Sequence, residues 1–259
     1  MKGKNVIVTG SEGFIGKALV EELKNQGANI IARIDRVLNM DAVNMDCYGY
    51  DNKNVDYVFH LAAQTSVWNS NHELMAHDNE LAFRKVVSWC NKNNAKLIYA
   101  SSSTAYLPNM TSHYGLSKFY NEQYALMYCP MATGVRLHNV YGKNPRQGTL
   151  FWKLINQDSV FLYNNGENKR CFTYIDDAVA GLIYAAHSDK ALVNVFNAES
   201  LRTREFARIV QCHHAVRVEL IPECKERDKS IQHVDETIFR VPLQYKSVRE
   251  AMRLIFAKK

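Results

Sequence analysis

A chain of 259 residues with 47% hydrophobic content can bury a full core, and its size suits one α/β domain with an appended lobe. Its composition excludes disorder, no stretch approaches the ~20 apolar residues that span a bilayer, and its start lacks a secretion signal's charged segment and apolar core. A cytoplasmic protein that does not engage membrane is therefore expected. The formal charge of +6 is spread over single Lys and Arg residues without a basic, aromatic-interleaved run, which argues against nucleic acid and for an anionic small substrate.

In chain order, Val6-Ile7-Val8 reads as a buried strand, and Lys17 to Gln26 as a helix with Ala18, Leu19 and Leu23 on one face. Between them stands Thr9-Gly10-Ser11-Glu12-Gly13-Phe14-Ile15-Gly16. Glycines at this spacing let the backbone turn out of a strand, approach a pyrophosphate and pack the next helix on the sheet. The first N–H groups of that helix lack intrahelical partners and lie at its positive end, so a diphosphate fits against Gly10, Gly13, Phe14, Ile15 and Gly16. A plain tight βα connection would also use such a turn, but Asn29 to Ile34 then reads as a second strand, which favours a dinucleotide site. Asp35 follows 19 residues after Gly16. At a spacing of ~20 a carboxylate accepts the ribose hydroxyls of NAD and repels the 2′-phosphate of NADP. Arg33 and Arg36 flank Asp35, and an arginine there would pair with that phosphate instead, so NAD is expected in preference to NADP with the alternative open.

Val55 to Ala63 is a buried-strand pattern ending in Leu61, Ala62 and Ala63, where the backbone can pass close to a ligand. Asn79 to Asn93 repeats apolar Ala82, Val86, Trp89 and Cys90 at helical spacing, and Lys96 to Ala100 gives a further strand followed by Ser101-Ser102-Ser103-Thr104. This alternation predicts an α/β fold, a Rossmann-type doubly wound parallel sheet with ligands at the carboxyl ends of its strands. Tyr114 and Lys118 open the next helix, which runs through Glu122 to Met127, and lie one turn apart on one face. With 14 tyrosines, about one Tyr-x-x-x-Lys arises by chance, so position after the serine strand carries the weight.

A free phenol, with a pKa of about 10, is a poor base at neutral pH. The Lys118 ammonium together with a nicotinamide cation would lower it by ~1 to 3 units, letting Tyr114 take a proton from a substrate hydroxyl while Ser102 holds the oxygen. Taken singly, a serine run is turn chemistry and a Tyr/Lys pair a solvated face. Their order behind a dinucleotide turn argues for a site.

These residues resemble the NAD-dependent epimerase/dehydratase family, extended short-chain dehydrogenases that act on nucleotide sugars. Thr9 to Gly16 matches its T-G-x-x-G-x-x-G, His60-Leu61-Ala62-Ala63 its H-L-A-A, and Tyr114 to Lys118 its catalytic pair. Arg136-Leu137-His138-Asn139-Val140-Tyr141-Gly142 resembles R-x-x-N-V-Y-G, and Arg170-Cys171-Phe172-Thr173-Tyr174-Ile175-Asp176-Asp177 resembles R-D-F-T-Y-V-D-D. The resemblance implies catalytic Ser102, Tyr114 and Lys118; a tightly bound NAD held by the glycine turn, Asp35, Leu61, Ala62, Ala63, Tyr114 and Lys118; and a substrate diphosphate met by Asn139 and Arg170. The resemblance also implies a second phosphate ligand at Arg227, with Lys225 its rival. Ser103 and Thr104 stand where dehydratases carry an Asp-Glu pair, decarboxylating members a Glu and 3,5-epimerases a Cys, so the minimal set fits 4-epimerisation of a UDP-hexose through a 4-keto intermediate. Two alternatives stay open: an NADPH-dependent 4-keto-sugar reductase and a non-enzymatic dinucleotide sensor.

The expected division is a dinucleotide-binding domain over 1–139, with 171–198 returning to it, and a small discontinuous α/β substrate lobe over 140–259. A homodimer through the Asn79–Asn93 and Tyr114–Met127 helices is a family expectation. The Ser102 to Tyr114 connection is short for the family, which suggests a more open sugar pocket. The six cysteines (47, 90, 129, 171, 212 and 224) show no Cys-x-x-Cys pair and read as reduced thiols, and His213-His214 has no neighbouring ligand, so no metal is expected.

Overall fold

The computed structural model describes residues 1–51, 53–66, 71–223 and 231–257. Strand β1 (Asn5–Thr9) leads through the glycine turn into helix α1 (Phe14–Asn25), and β2 (Asn29–Ile34) and β3 (Tyr57–His60) follow. The crossover to β4 (Lys96–Ser102) is made by a short helix α2 (His72–Met75), a π-helical turn (Ala76–Leu81) and α3 (Ala82–Asn93), and that to β5 (Thr133–Leu137) by α4 (His113–Tyr128). The remainder comprises β6 (Val140–Tyr141), α5 (Leu150–Asn156), β7 (Ser159–Tyr163), β8 (Lys169–Cys171), β9 (Thr173–Tyr174), α6 (Ile175–Ala186), β10 (Leu192–Val195), β11 (Ser200–Arg202), α7 (Thr203–Gln211), β12 (Arg217–Ile221) and α8 (Val248–Phe256).

Six strands form one parallel sheet in the order β10-β5-β4-β3-β1-β2. Chain direction across the sheet reverses between β1 and β3, and ligands of doubly wound folds sit in the crevice at such a switch point. The glycine turn lies there.

Alternating residues of each strand feed two cores. Val6 and Val8, Phe59 and Ile98 pack with Leu19 and Leu23 of α1 and Leu182 of α6. Ile7, Val58, Leu97 and Tyr99 pack with Phe83 and Val86 of α3 and Ala125 of α4. Burial on both faces requires an unbroken apolar run, which Val6-Ile7-Val8 supplies. The smaller strand pairs, β6 with β9, β7 with β12 and β8 with β11, enclose aromatic packing in which Phe172 and Phe206 stack at 3.9 Å between centroids and Tyr141 meets Phe206 edge-on at 5.3 Å. These rings belong to the same cluster as α1 and α6, so the lean outer part shares its core with the sheet.

Two elements differ from their sequence patterns. The strand read over Val55 to Ala63 is regular only over Tyr57–His60; Asp56 and Leu61 at its ends still donate to carbonyls of β1, and the small residues that follow leave the sheet toward the glycine turn. The helix read from Asn79 is regular only from Ala82. Its first residues belong to the π-turn, whose extra residue per turn points Asp78 and Asn79 inward, both buried.

His60 and His138 are 3% and 1% exposed. Burial drives the His60 pKa down to about 3, with repulsion from Lys118 adding to it, and burial drives His138 down to about 4. The unfolded chain therefore binds more protons than the folded one between roughly pH 6.5 and 4, and stability is lost as pH falls through that window. Denaturant titrations at stepped pH should show His60 alone removing on the order of 3 kcal/mol by pH 4, and His60→Asn should flatten the slope.

Candidate active site

The glycine turn is built for close approach. Gly10 has φ +67°, and a Cβ there would lie 2.5 Å from the Ala62 nitrogen. A Cβ on Gly16 would lie 2.0 Å from the Gly10 carbonyl oxygen. These two glycines are dictated by the protein's own packing. At Gly13 an added Cβ would meet nothing within 4 Å except the Gly10 oxygen at 3.2 Å, so its bareness leaves room in front of α1. Gly13 is the N-cap of that helix and provides no side-chain hydrogen bond, and no acidic residue lies in the first turn. Ser112, Thr149 and Ser247, by contrast, cap α4, α5 and α8 with their hydroxyls. The amides of Phe14, Ile15 and Gly16 thus combine open space with a positive helix end, which fits a pyrophosphate. Asp35, just past β2, accepts from the Glu12 amide at 3.0 Å and the Val37 amide at 3.0 Å, and its remaining lone pairs suit ribose hydroxyls.

Leu61, Ala62 and Ala63 run past the turn. The Thr9 hydroxyl meets His60 Nδ1 at 2.8 Å and accepts from the Ala62 amide at 3.3 Å. Farther along, the Asn79 side chain clamps the same segment: its Oδ1 accepts from the Gln64 amide at 2.7 Å, and its Nδ2 donates to the Gln64 carbonyl at 3.0 Å and to Ser117 Oγ at 3.0 Å. The π-turn therefore ties the loop after β3 to the helix that carries Tyr114 and Lys118.

Ser102 ends β4, and its Oγ accepts from Thr104 Oγ1 at 2.8 Å and from the Thr104 amide at 3.2 Å. Burial pushes the Tyr114 phenol up, while hydrogen bonding with Ser102 and the Arg146 cation act in the other direction. Lys118 Nζ lies 5.8 Å from the Tyr114 ring centroid and donates to the Ala100 carbonyl at 2.8 Å. Burial lowers its pKa to about 8, while the Glu122 carboxylate acts in the other direction. The three residues expected from sequence are thus brought together. The cation that opposes the effect of burial on the phenol is, however, Arg146, from the loop after β6, which also hydrogen-bonds Thr65 across the site. It was missed because it is distant in sequence and carries no spacing signal.

Asn139 donates to the Cys171 carbonyl at 3.3 Å, beside Arg170, and to Gln232 Oε1. Gln232 Nε2 in turn donates to Ser103 Oγ. Gln232 therefore links Asn139, one of the candidate phosphate ligands, to the serine turn, another contribution without a sequence signal. Asn109 donates to the Ser103 carbonyl at 2.9 Å and the His233 carbonyl at 2.6 Å, and accepts from the His233 amide at 2.8 Å. The short Ser102 to Tyr114 connection is thereby covered by the segment around Gln232 and His233. Arg227, Lys225 and Cys224 lie outside the described residues.

Beneath the site is a buried ion pair. Glu122 of α4 and Arg136 of β5 have side chains only 1% and 7% exposed, joined by Nε to Oε1 at 2.8 Å and Nη2 to Oε2 at 2.7 Å. Ser101 donates to the same carboxylate at 2.5 Å, and Arg136 Nη1 reaches Asp235 at 2.8 Å.

The model for the NAD dependent epimerase/dehydratase family matches residues 6–198. The chain belongs to that family. Among solved structures, a UDP-N-acetylglucosamine 4-epimerase from Methanobrevibacter ruminantium M1 in complex with UDP-N-acetylmuramic acid is 25% identical over 99% of each chain, with a TM-score of 0.82. A UDP-glucose 4-epimerase from Thermotoga maritima with UDP-glucose is 21% identical over 98% of this chain and 97% of that one, TM-score 0.82. TunA, an NAD-dependent NDP-hexosamine 5,6-dehydratase, is 23% identical over 98% and 96%, TM-score 0.83. One backbone thus serves more than one reaction, and the side chains must discriminate.

Arg136→Met should strand the Glu122 carboxylate in the interior and lower unfolding free energy by about 3–5 kcal/mol, read by denaturant titration. Glu122→Gln with Arg136→Met together should recover part of that loss.

Proposed function

We propose that this enzyme interconverts a UDP-hexose and its C4 epimer through a transient 4-keto sugar, with NAD retained between turnovers. The observation that carries the reading is the convergence of Ser102, Tyr114 and Lys118 at the carboxyl end of the sheet, with only hydroxyls at Ser103 and Thr104. Neither hydroxyl can act as the carboxyl acid or base that dehydration needs. NAD, when bound, supplies a reversible hydride acceptor. Tyr114 takes the proton from the C4 hydroxyl and later returns it, and Ser102 holds that oxygen in place. Lys118 and Arg146 provide positive charge for the phenolate.

The same reading gives the substrate diphosphate to Asn139 and Arg170, an amide and a planar guanidinium suited to phosphate oxygens. Arg227 is proposed as a further ligand. Residues 1–139 with 171–198 hold the dinucleotide in this reading, and the rest of 140–259 holds the sugar nucleotide. The similar structures with UDP-glucose and with UDP-glucuronic acid and NAD support this class of ligand. A homodimer through α3 and α4 completes the reading, supported by exposed Leu116, Met127 and Tyr128 on α4. Light scattering should then give twice the mass of the chain, and Met127→Glu should reduce it toward the single chain.

Incubation with a panel of nucleotide sugars, without added cofactor, should yield a C4 epimer visible by NMR. Tyr114→Phe should lower kcat by at least ~100-fold with dinucleotide still bound. Near-normal turnover by that variant would overturn the mechanism.

A further inference from the structure

The carboxyl end of β2 holds a charge cluster that the proton chemistry does not use. Arg36 donates Nη1 and Nη2 to the two oxygens of Asp78 at 2.7 and 2.5 Å, and Nε to Asp41 at 2.7 Å. Arg33 is paired with Glu12 of the glycine turn. Asp35 lies between these arginines and accepts the Glu12 amide. Three carboxylates, from Glu12, Asp41 and Asp78, thus hold the two guanidiniums, and Asp35 adds a fourth carboxylate to the cluster.

Both arginines that could bind a 2′-phosphate are already engaged. A phosphate would be best recognised by a guanidinium fork, two parallel N–H bonds on one face. On Arg36 that fork is occupied by Asp78. The Asp78 side chain is only 6% exposed and also accepts from Gln64 Nε2 at 2.7 Å. Turning Arg36 away would leave a buried carboxylate with only His77 Nδ1, at 2.8 Å, and the Gln64 amide beside it, without the guanidinium that matches both its oxygens, an arrangement proteins avoid. The excess of carboxylates also opposes a phosphate carrying a charge of about −2. Free ribose hydroxyls carry no such penalty and can donate to Asp35.

We infer that Glu12 and Asp78 are specificity-determining residues: by occupying Arg33 and Arg36 they withhold both cations from a 2′-phosphate and make the site selective for NAD over NADP. The inference rests on the dinucleotide site proposed above and deepens it. Specificity here comes from a carboxylate on the glycine turn and another on the π-turn, in addition to the acid at the end of β2. Selectivity of this kind is built by removing what the wrong ligand needs.

Equilibrium dialysis of the purified protein against NAD and NADP, with bound dinucleotide quantified by mass spectrometry, gives the ratio of the two affinities. The unaltered protein should favour NAD by ~100-fold or more, and Glu12→Gln with Asp78→Asn should narrow the ratio at least ~10-fold, mainly by a gain in NADP binding. Arg36→Ala in that background should cancel the gain, whereas in the unaltered protein it should change NADP binding by less than ~2-fold. An unchanged ratio in a double variant that still binds NAD would overturn the inference. So would a loss of ~10-fold or more in NADP binding from Arg36→Ala alone, a result that remains readable if the Asp78 variant fails to fold. Preference of the unaltered protein for NADP overturns the inference and spares the dinucleotide site, while binding of neither dinucleotide overturns the site itself.

Discussion

The buried pair of Glu122 and Arg136 is the interaction on which the site's geometry depends. Four pieces of chain meet at it: α4, which carries Tyr114 and Lys118; β4, whose Ser101 precedes Ser102; β5, which leads to Asn139; and the segment around Asp235, three residues beyond Gln232. A guanidinium with five fixed donors can serve two carboxylates in defined directions, so each partner is fixed in position and orientation. Net stabilisation by such a pair can be small because both charges were taken from water. Its larger effect is on geometry, since each partner must stay in place or leave a charge unmatched.

A second restraint operates at the switch point. Gly10 lies against the backbone of Leu61 and Ala62, and Asn79 clamps the backbone of Gln64, two residues farther on. The π-turn makes this possible by rotating Asp78 and Asn79 inward together, one toward Arg36 and the other toward Gln64 and Ser117. A regular helix would place successive residues 100° apart and keep a different pair facing the sheet. The irregular turn therefore joins the charge cluster after β2 to the loop after β3 and to the helix that carries Tyr114 and Lys118.

Much of this was legible in the sequence where information is local. The glycine spacing, the apolar run of Val6 to Val8, the second strand from Asn29 to Ile34 and the one-turn separation of Tyr114 and Lys118 each depend on residues within a few positions of one another. The short-range patterns gave the parallel α/β fold and pointed to Ser102, Tyr114 and Lys118 as the candidate catalytic set. The π-turn was not legible, because Ala82, Val86, Trp89 and Cys90 keep their helical repeat whether or not an extra residue is accommodated before them. Gln232 and Asp235 were equally invisible: their partners Ser103, Asn139 and Arg136 are more than ninety residues away, and nothing in their neighbours marks them. The state of Arg33 and Arg36 was ambiguous for the same reason, since a basic residue beside Asp35 has opposite meanings depending on which acid the fold sets against it.

The bond between Arg136 and Asp235 spans 99 residues, and it has a consequence for how the chain folds. Helix α4 and strand β5 are adjacent in sequence and can pair early, closing Glu122 on Arg136 when only the first half of the chain has formed. The second carboxylate comes much later, because contacts with long intervening loops carry the larger entropic cost. A nascent chain would thus hold a partly formed sheet whose buried arginine is incompletely matched, and whose serine turn lacks its cover from Gln232 and His233. Completion of the candidate site is in this sense a late folding event, coupled to arrival of the chain's last third rather than to formation of the strands that carry the glycine turn and Ser102.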